Sequence, residues 1–158
     1  MSQRIARSTN GGFALINALI AATVLAIGLL GNAAMLVHSL QVSRLALQHT
    51  QAVALAADMA DRLRANRSAG AAFALAAGTT LDAPAQPCAT VDQCSPQQVA
   101  ALELYLWQQS VMRVLPDPQA AITVSPAAAS AANLYTITIR WVQSGDAAAA
   151  SINLTVQA

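Results

Sequence analysis

Gly11-Gly12-Phe13-Ala14-Leu15-Ile16-Asn17-Ala18-Leu19-Ile20-Ala21-Ala22-Thr23-Val24-Leu25-Ala26-Ile27-Gly28-Leu29-Leu30-Gly31-Asn32-Ala33-Ala34-Met35-Leu36-Val37 is the stretch on which the fold turns. From Phe13 to Val37 it carries no charge, and its polar side chains are Asn17, Thr23 and Asn32. As a helix it would be roughly 37 Å long at 1.5 Å per residue, more than the ~30 Å hydrocarbon core of a bilayer. It is expected to span a membrane. A secretory signal peptide shares the basic start and apolar centre, but its small-residue cleavage site follows a shorter apolar region. Here Gly11 and Gly12 stand before the run.

Arg4 and Arg7 precede this run, and no Asp or Glu occurs before Asp58. That asymmetry holds an N-terminus on the cytoplasmic side and places the residues after the span outside the cytoplasm. Beyond Val37 a helical pattern continues without Pro or Gly to Asn66. Leu45, Ala52, Ala56, Met59 and Leu63 follow one another at helical steps and form a stripe that another part of the chain must cover. Asp58 with Arg62, and Asp61 with Arg64, stand where opposite charges meet on a helix surface, worth about 0.2–0.5 kcal/mol per pair.

Hydrophobic residues make up 56% of the 158 residues and charged ones 9%. The chain is thus the sum of an apolar segment and an ordinary Ala-rich domain. Without residues 1–12 it retains Arg44, Arg62, Arg64, Arg67, Arg113 and Arg140 against seven acids. So even a balance offers no basic footprint for nucleic acid and no acidic one for cationic substrates.

Residues 68–95 read as loop, and a short helical stretch around Ala71 to Ala77 is the one exception their composition allows. Ser95-Pro96 with Gln98 makes an N-cap signature for a helix from Pro96 to Leu115, stopped by Pro116 and Pro118. Three β-prone runs follow at Ala121–Val124, Leu134–Gln143 and Ser151–Val156, with turns at Asn133 and at 144–146. The fold class is α+β: a long N-terminal helix packed on a small C-terminal antiparallel sheet, with a second helix. Cys88 and Cys94 fall in the loop on the exported side, where a disulfide is expected. It would contribute ~2 kcal/mol. Free or metal-bound thiols are the alternative.

Catalytic chemistry is poorly provided for. Glu103 is the single Glu, Lys is absent, and the two His residues are His38 and His49. On one helix these lie about 16 Å apart, too far to share a metal. No catalytic residue, metal set or cofactor is expected. Trp107 on a helix stripe and Trp141 on an alternating strand read as core residues rather than binding platforms.

The junction Gly11-Gly12-Phe13-Ala14-Leu15-Ile16-Asn17 resembles the class III signal of type IV prepilins and pseudopilins. The resemblance implies cleavage after Gly12 by a prepilin peptidase, methylation of Phe13, and retention of the apolar helix for filament packing. Within that superfamily the chain is most similar to the PilV family of minor pilins, the type IV pilus modification proteins. The likeness rests on Leu29-Leu30-Gly31, Asp61-Arg62-Leu63-Arg64-Ala65-Asn66-Arg67, Cys94-Ser95-Pro96, Trp107, Leu115-Pro116 and the run Tyr135 to Trp141. It departs from the family at Asn17, the fifth mature position, where a Glu usually meets a neighbour's terminal ammonium in the filament core. Asn accepts a hydrogen bond but cannot neutralise that charge, which points to a tip or rare position.

The resemblance implies a cleaved leader (1–12), a membrane-spanning and filament-packing segment (13–37) and a periplasmic domain (38–158). It implies a single-pass inner-membrane protein that later enters an extracellular pilus and supports pilus biogenesis, adhesion and twitching motility. Implied partners are other minor pilins, the major pilin, the inner-membrane assembly platform, the prepilin peptidase and a tip adhesin. Two alternatives stay open: a pseudopilin of a type II secretion system, and an uncleaved membrane-anchored periplasmic module.

Overall fold

A computed structural model describes residues 11–85, 94–126, 132–143 and 149–158. Helix α1 runs Gly11–Ala65, as the unbroken helical pattern from Phe13 to Asn66 requires. The chain divides into two compact units, the first ending at Arg44 and the second comprising Leu45–Ala158. In the first unit the side chains of α1 are exposed throughout, Phe13 and Met35 by 83% and 74%.

The second unit begins with the last turns of α1. Ala52, Ala56, Met59 and Leu63 are buried as the stripe predicts, Ala60 joins them, and Leu45 is only half-buried. The two helix-surface pairs form at 2.9 Å (Arg62–Asp58) and 2.8 Å (Arg64–Asp61). Helix α2, Pro96–Val114, starts on a complete capping box. Ser95 Oγ accepts from the Gln98 amide and Gln98 Oε1 accepts from the Ser95 amide, satisfying two donors that a helix start leaves unpaired.

Strands β1 (Gln119–Pro126), β2 (Asn133–Val142) and β3 (Ala149–Gln157) form an antiparallel sheet in the order β1-β2-β3. β2 keeps strict alternation, with Tyr135, Ile137, Ile139 and Trp141 inward. They join Ala120 and Ile122 of β1, Phe73, Leu104, Trp107, Val111 and the α1 stripe in one core. Trp107 and Trp141 are thus core residues, as their settings predict; Trp107 Nε1 also donates to the Leu55 carbonyl of α1 at 2.8 Å.

The expected helical stretch at Ala71–Ala77 is displaced. A 3₁₀ helix occupies Arg67–Phe73, and Leu75 is already extended, exchanging backbone hydrogen bonds with Ile122 of β1. The chain turns at Gly70, whose φ of 53° and ψ of −123° suit glycine alone. Its carbonyl accepts from Tyr135 Oη at 3.2 Å. Pairing also lengthens β1 at both ends beyond 121–124, because the ladder with β2 runs from Gln119↔Arg140 to Pro126↔Asn133.

Candidate functional site

The first unit offers a continuous apolar surface. Leu15, Ile16, Leu19, Ile20, Val24, Leu25, Ile27, Leu29 and Leu30 are all more than half exposed. Each such side chain left in water forgoes about 1.5–3 kcal/mol of burial. α1 is long and apolar enough to cross a membrane, and none of its most apolar window is buried by the rest of the chain. A core helix of a soluble protein would be buried. An exposed apolar helix near the N-terminus fits membrane anchoring, and a signal sequence shares these properties.

Polar side chains on this surface fall into two kinds. Thr23 Oγ1 donates to the Ile20 carbonyl at 2.8 Å and is satisfied within its own turn. Asn17 and Asn32 are exposed, and among the described residues neither amide has a hydrogen-bond partner. Gly12 and Phe13 lie in the first described turn of α1. A Cβ built at Gly12 meets nothing within 4 Å, and the same holds at Gly28 and Gly31. No close approach among the described residues requires glycine at these places, though each costs a helix about 1 kcal/mol relative to Ala.

A second feature lies among the end of α1, the 3₁₀ helix and the start of α2. A groove of about 460 Å³ is lined by Ala65, Asn66, Ser68, Cys94, Pro96, Val99 and Glu103. Its rim is fixed: Asn66 Nδ2 donates to the Pro96 carbonyl at 2.9 Å, and Ser68 Oγ donates to Asn66 Oδ1. Glu103 Oε2 is shielded from solvent without a hydrogen bond. Desolvation pushes the Glu103 carboxyl above its ordinary value, Arg62 opposes the shift, and Asp58 adds to it. Sequence reasoning noted Glu103 only as the single Glu; its shielding arises from tertiary packing that local spacing does not reveal.

His38 and His49 are both exposed; the His49 ring lies 6.2 Å from that of Trp141, tilted by 53°. Among the described residues no three His, Cys, Asp or Glu side chains gather as a metal set. Cys94 borders the groove, while Cys88 lies outside the described residues, and with it the expected Cys88–Cys94 pairing. Gln108 was missed by the sequence reading. Among the described residues it is the buried polar residue of the core, accepting from the Leu81 amide at 2.8 Å and donating to the Thr79 carbonyl at 2.5 Å. Its position, four residues after Leu104 and three before Val111 on the buried face of α2, was the available signal.

An apolar N-terminal helix whose later turns carry a second helix and a three-stranded antiparallel sheet is a pilin-like α+β fold. Residues 34–105, a little under half of the chain, match the family described as Tt1218-like, type IV pilin Tt1218. The match supports a type IV pilin, and with it membrane association and interaction with other pilus components. Type IV pilins are a structural, non-enzymatic family. No curated protein and no solved structure matches the chain.

Proposed function

We propose that the chain is a minor pilin, similar to the PilV family, that primes assembly of a type IV pilus or is incorporated into it. The observation that carries this reading is the uncovered apolar surface of α1 from Phe13 to Val42. A surface of that length suits transfer from lipid into a bundle of like helices, because both environments are apolar. A prepilin peptidase cuts after Gly12, and Phe13 becomes the methylated first residue. A glycine that the fold does not need at position 12 supports this, since a peptidase must draw in extended backbone and a residue without Cβ allows close approach.

Residues 13–37 span the inner membrane before assembly, with the leader cytoplasmic and residues 38–158 periplasmic. The unpartnered Asn17 amide supports a tip or rare position, because it offers hydrogen bonding to a neighbour's terminal ammonium but no counter-charge. A Cys88–Cys94 disulfide holds the loop before α2. The partners are other minor pilins, the major pilin, the assembly platform and a tip adhesin, and the role is to support pilus biogenesis, adhesion and twitching motility.

The test is the mass of the N-terminal peptide from membrane and sheared-pilus fractions, with Gly12→Ala as control. A chain starting at Phe13, lost in the control, is the expected result. An intact leader in the wild type would overturn the reading in favour of an anchored periplasmic module.

A further inference from the structure

Glu103 is the single acidic residue of α2, and two contacts between the helices fix what it faces. Trp107 Nε1 donates to the Leu55 carbonyl and Asn66 Nδ2 donates to the Pro96 carbonyl, so α2 runs antiparallel to the last turns of α1. One turn back from Trp107 along α2 therefore corresponds to one turn forward from Leu55 along α1. That puts Glu103 opposite the turn around Met59, with Asp58 and Arg62 on either side of it in the chain.

These two residues are the charged groups that act on Glu103: Arg62 favours its ionised form and Asp58 opposes it. The other described residues lining its groove bring no charge. Ala65, Asn66, Ser68, Pro96 and Val99 are neutral, and Cys94 is not a free thiol.

Arg62 is engaged only in part. Its contact with Asp58 is made through Nε at 2.9 Å. A guanidinium carries five N–H donors, so the two Nη groups remain available. The pair also lies on the helix surface, where the Arg62 and Asp58 side chains are 31% and 49% exposed and water competes for both charges. Glu103 Oε2 has the opposite setting. It is shielded from water and has no hydrogen-bond partner among the described residues. A protonated, neutral carboxyl tolerates that place. An ionised one is a shielded charge without a partner, which costs far more than the loss of an exposed pair. One arginine thus stands between two carboxylates of unequal need, because Asp58 can be hydrated on release and Glu103 Oε2 cannot.

We propose that Arg62 changes partner with the protonation of Glu103. While Glu103 holds its proton, Arg62 stays on Asp58 within α1, as in the structure. When the proton leaves to solvent, the Nη groups turn to Glu103, and an ion pair within one helix becomes one between two helices. The seam between α1 and α2 is then a pH-responsive contact, whatever the role of the chain. Desolvation raises the Glu103 carboxyl above its ordinary 4.5, so the exchange falls above that pH. Desolvation outweighs the attraction of Arg62, so the new pair recovers only part of the loss. The folded chain still binds more protons than the unfolded one in this window, and ionisation weakens the second unit even as it ties the two helices together.

The test is an NMR titration of the full chain in detergent. Glu103 is the only Glu in the sequence, so carbon-13 in glutamate carboxyl groups reports it alone. Nitrogen-15 in arginine reports Arg62, whose signal is assigned by its loss in Arg62→Gln. In the wild type the Glu103 signal should titrate above 4.5, and the Arg62 signal should step at the same midpoint. Glu103→Gln should abolish that step. Asp58→Asn removes both the competitor and the opposing charge, so the Glu103 midpoint should fall, whereas Arg62→Gln should raise it. An Arg62 signal that passes unchanged through the Glu103 midpoint, or a midpoint equal in the wild type and both α1 variants, would overturn the exchange; the first readout needs no variant beyond the assignment.

Discussion

Gly70→Ala isolates one backbone conformation. A Cβ built on Gly70 comes no nearer than 3.7 Å to another group, Asn133 Nδ2, so no steric clash with a neighbour enters the result. What remains is the cost of holding an L-residue at φ 53° and ψ −123°, about 1–3 kcal/mol. Against it stands the smaller conformational freedom of unfolded Ala, which offsets about 0.4–1 kcal/mol. The net loss is about 1–2 kcal/mol, which for a unit of this size lowers the unfolding midpoint by roughly 4–8 °C. Differential scanning calorimetry of the full chain in detergent would measure it.

The strain has one route of escape, rotation of the peptide that carries the Gly70 carbonyl, and this would break the bond from Tyr135 Oη. Tyr135→Phe alone should cost about 1 kcal/mol for that bond. If the peptide rotates, the double variant will lose less than the sum of the two single variants; if the backbone holds, the losses will add. A midpoint for Gly70→Ala within error of the wild type would refute the argument that the surrounding structure fixes this conformation.

Ser95→Ala removes one half of the capping box and should cost about 1 kcal/mol, read as a lower calorimetric midpoint. Asp61→Asn breaks an exposed pair and should change the midpoint by no more than the equivalent of ~0.5 kcal/mol. Glu103→Gln should raise the midpoint at pH 7. Because the folded-state value of Glu103 is raised above the ordinary 4.5, the folded chain binds more protons than the unfolded one above that pH, and stability falls as pH rises through the window. The Gln variant should lose this part of the pH dependence, and parallel profiles would contradict the shielding of Glu103. Asn17→Glu should increase incorporation along the shaft of sheared pili; an unchanged amount would remove the case for a rare position.

Features written in neighbouring residues were legible in the sequence. The start of α2 depends on Ser95, Pro96 and Gln98, and the inward face of β2 depends on alternation from Tyr135 to Trp141. The continuity of α1 followed from the lack of any breaker between its glycines and Asn66. Features that depend on distant partners were not legible. The 3₁₀ helix sits at Arg67–Phe73 because Leu75 is drawn into pairing with Ile122, which lies far along the chain. The rim of the Glu103 groove likewise needs Asn66 to meet Pro96. The apolar surface at Phe13–Val37 was readable because composition alone marks it.

The burial of both tryptophans gives the second unit two built-in optical reporters. Trp107 is tied to the Leu55 carbonyl and Trp141 lies against His49, so each indole senses a different seam of the same helix, one with α2 and one with β2. Single replacement by Phe would leave one emitter at a time. Loosening of α1 from the second helix would then shift the emission of Trp107 to longer wavelength, and loosening from the sheet would shift that of Trp141. The order in which α1 parts from these two elements on unfolding could be followed without any added label.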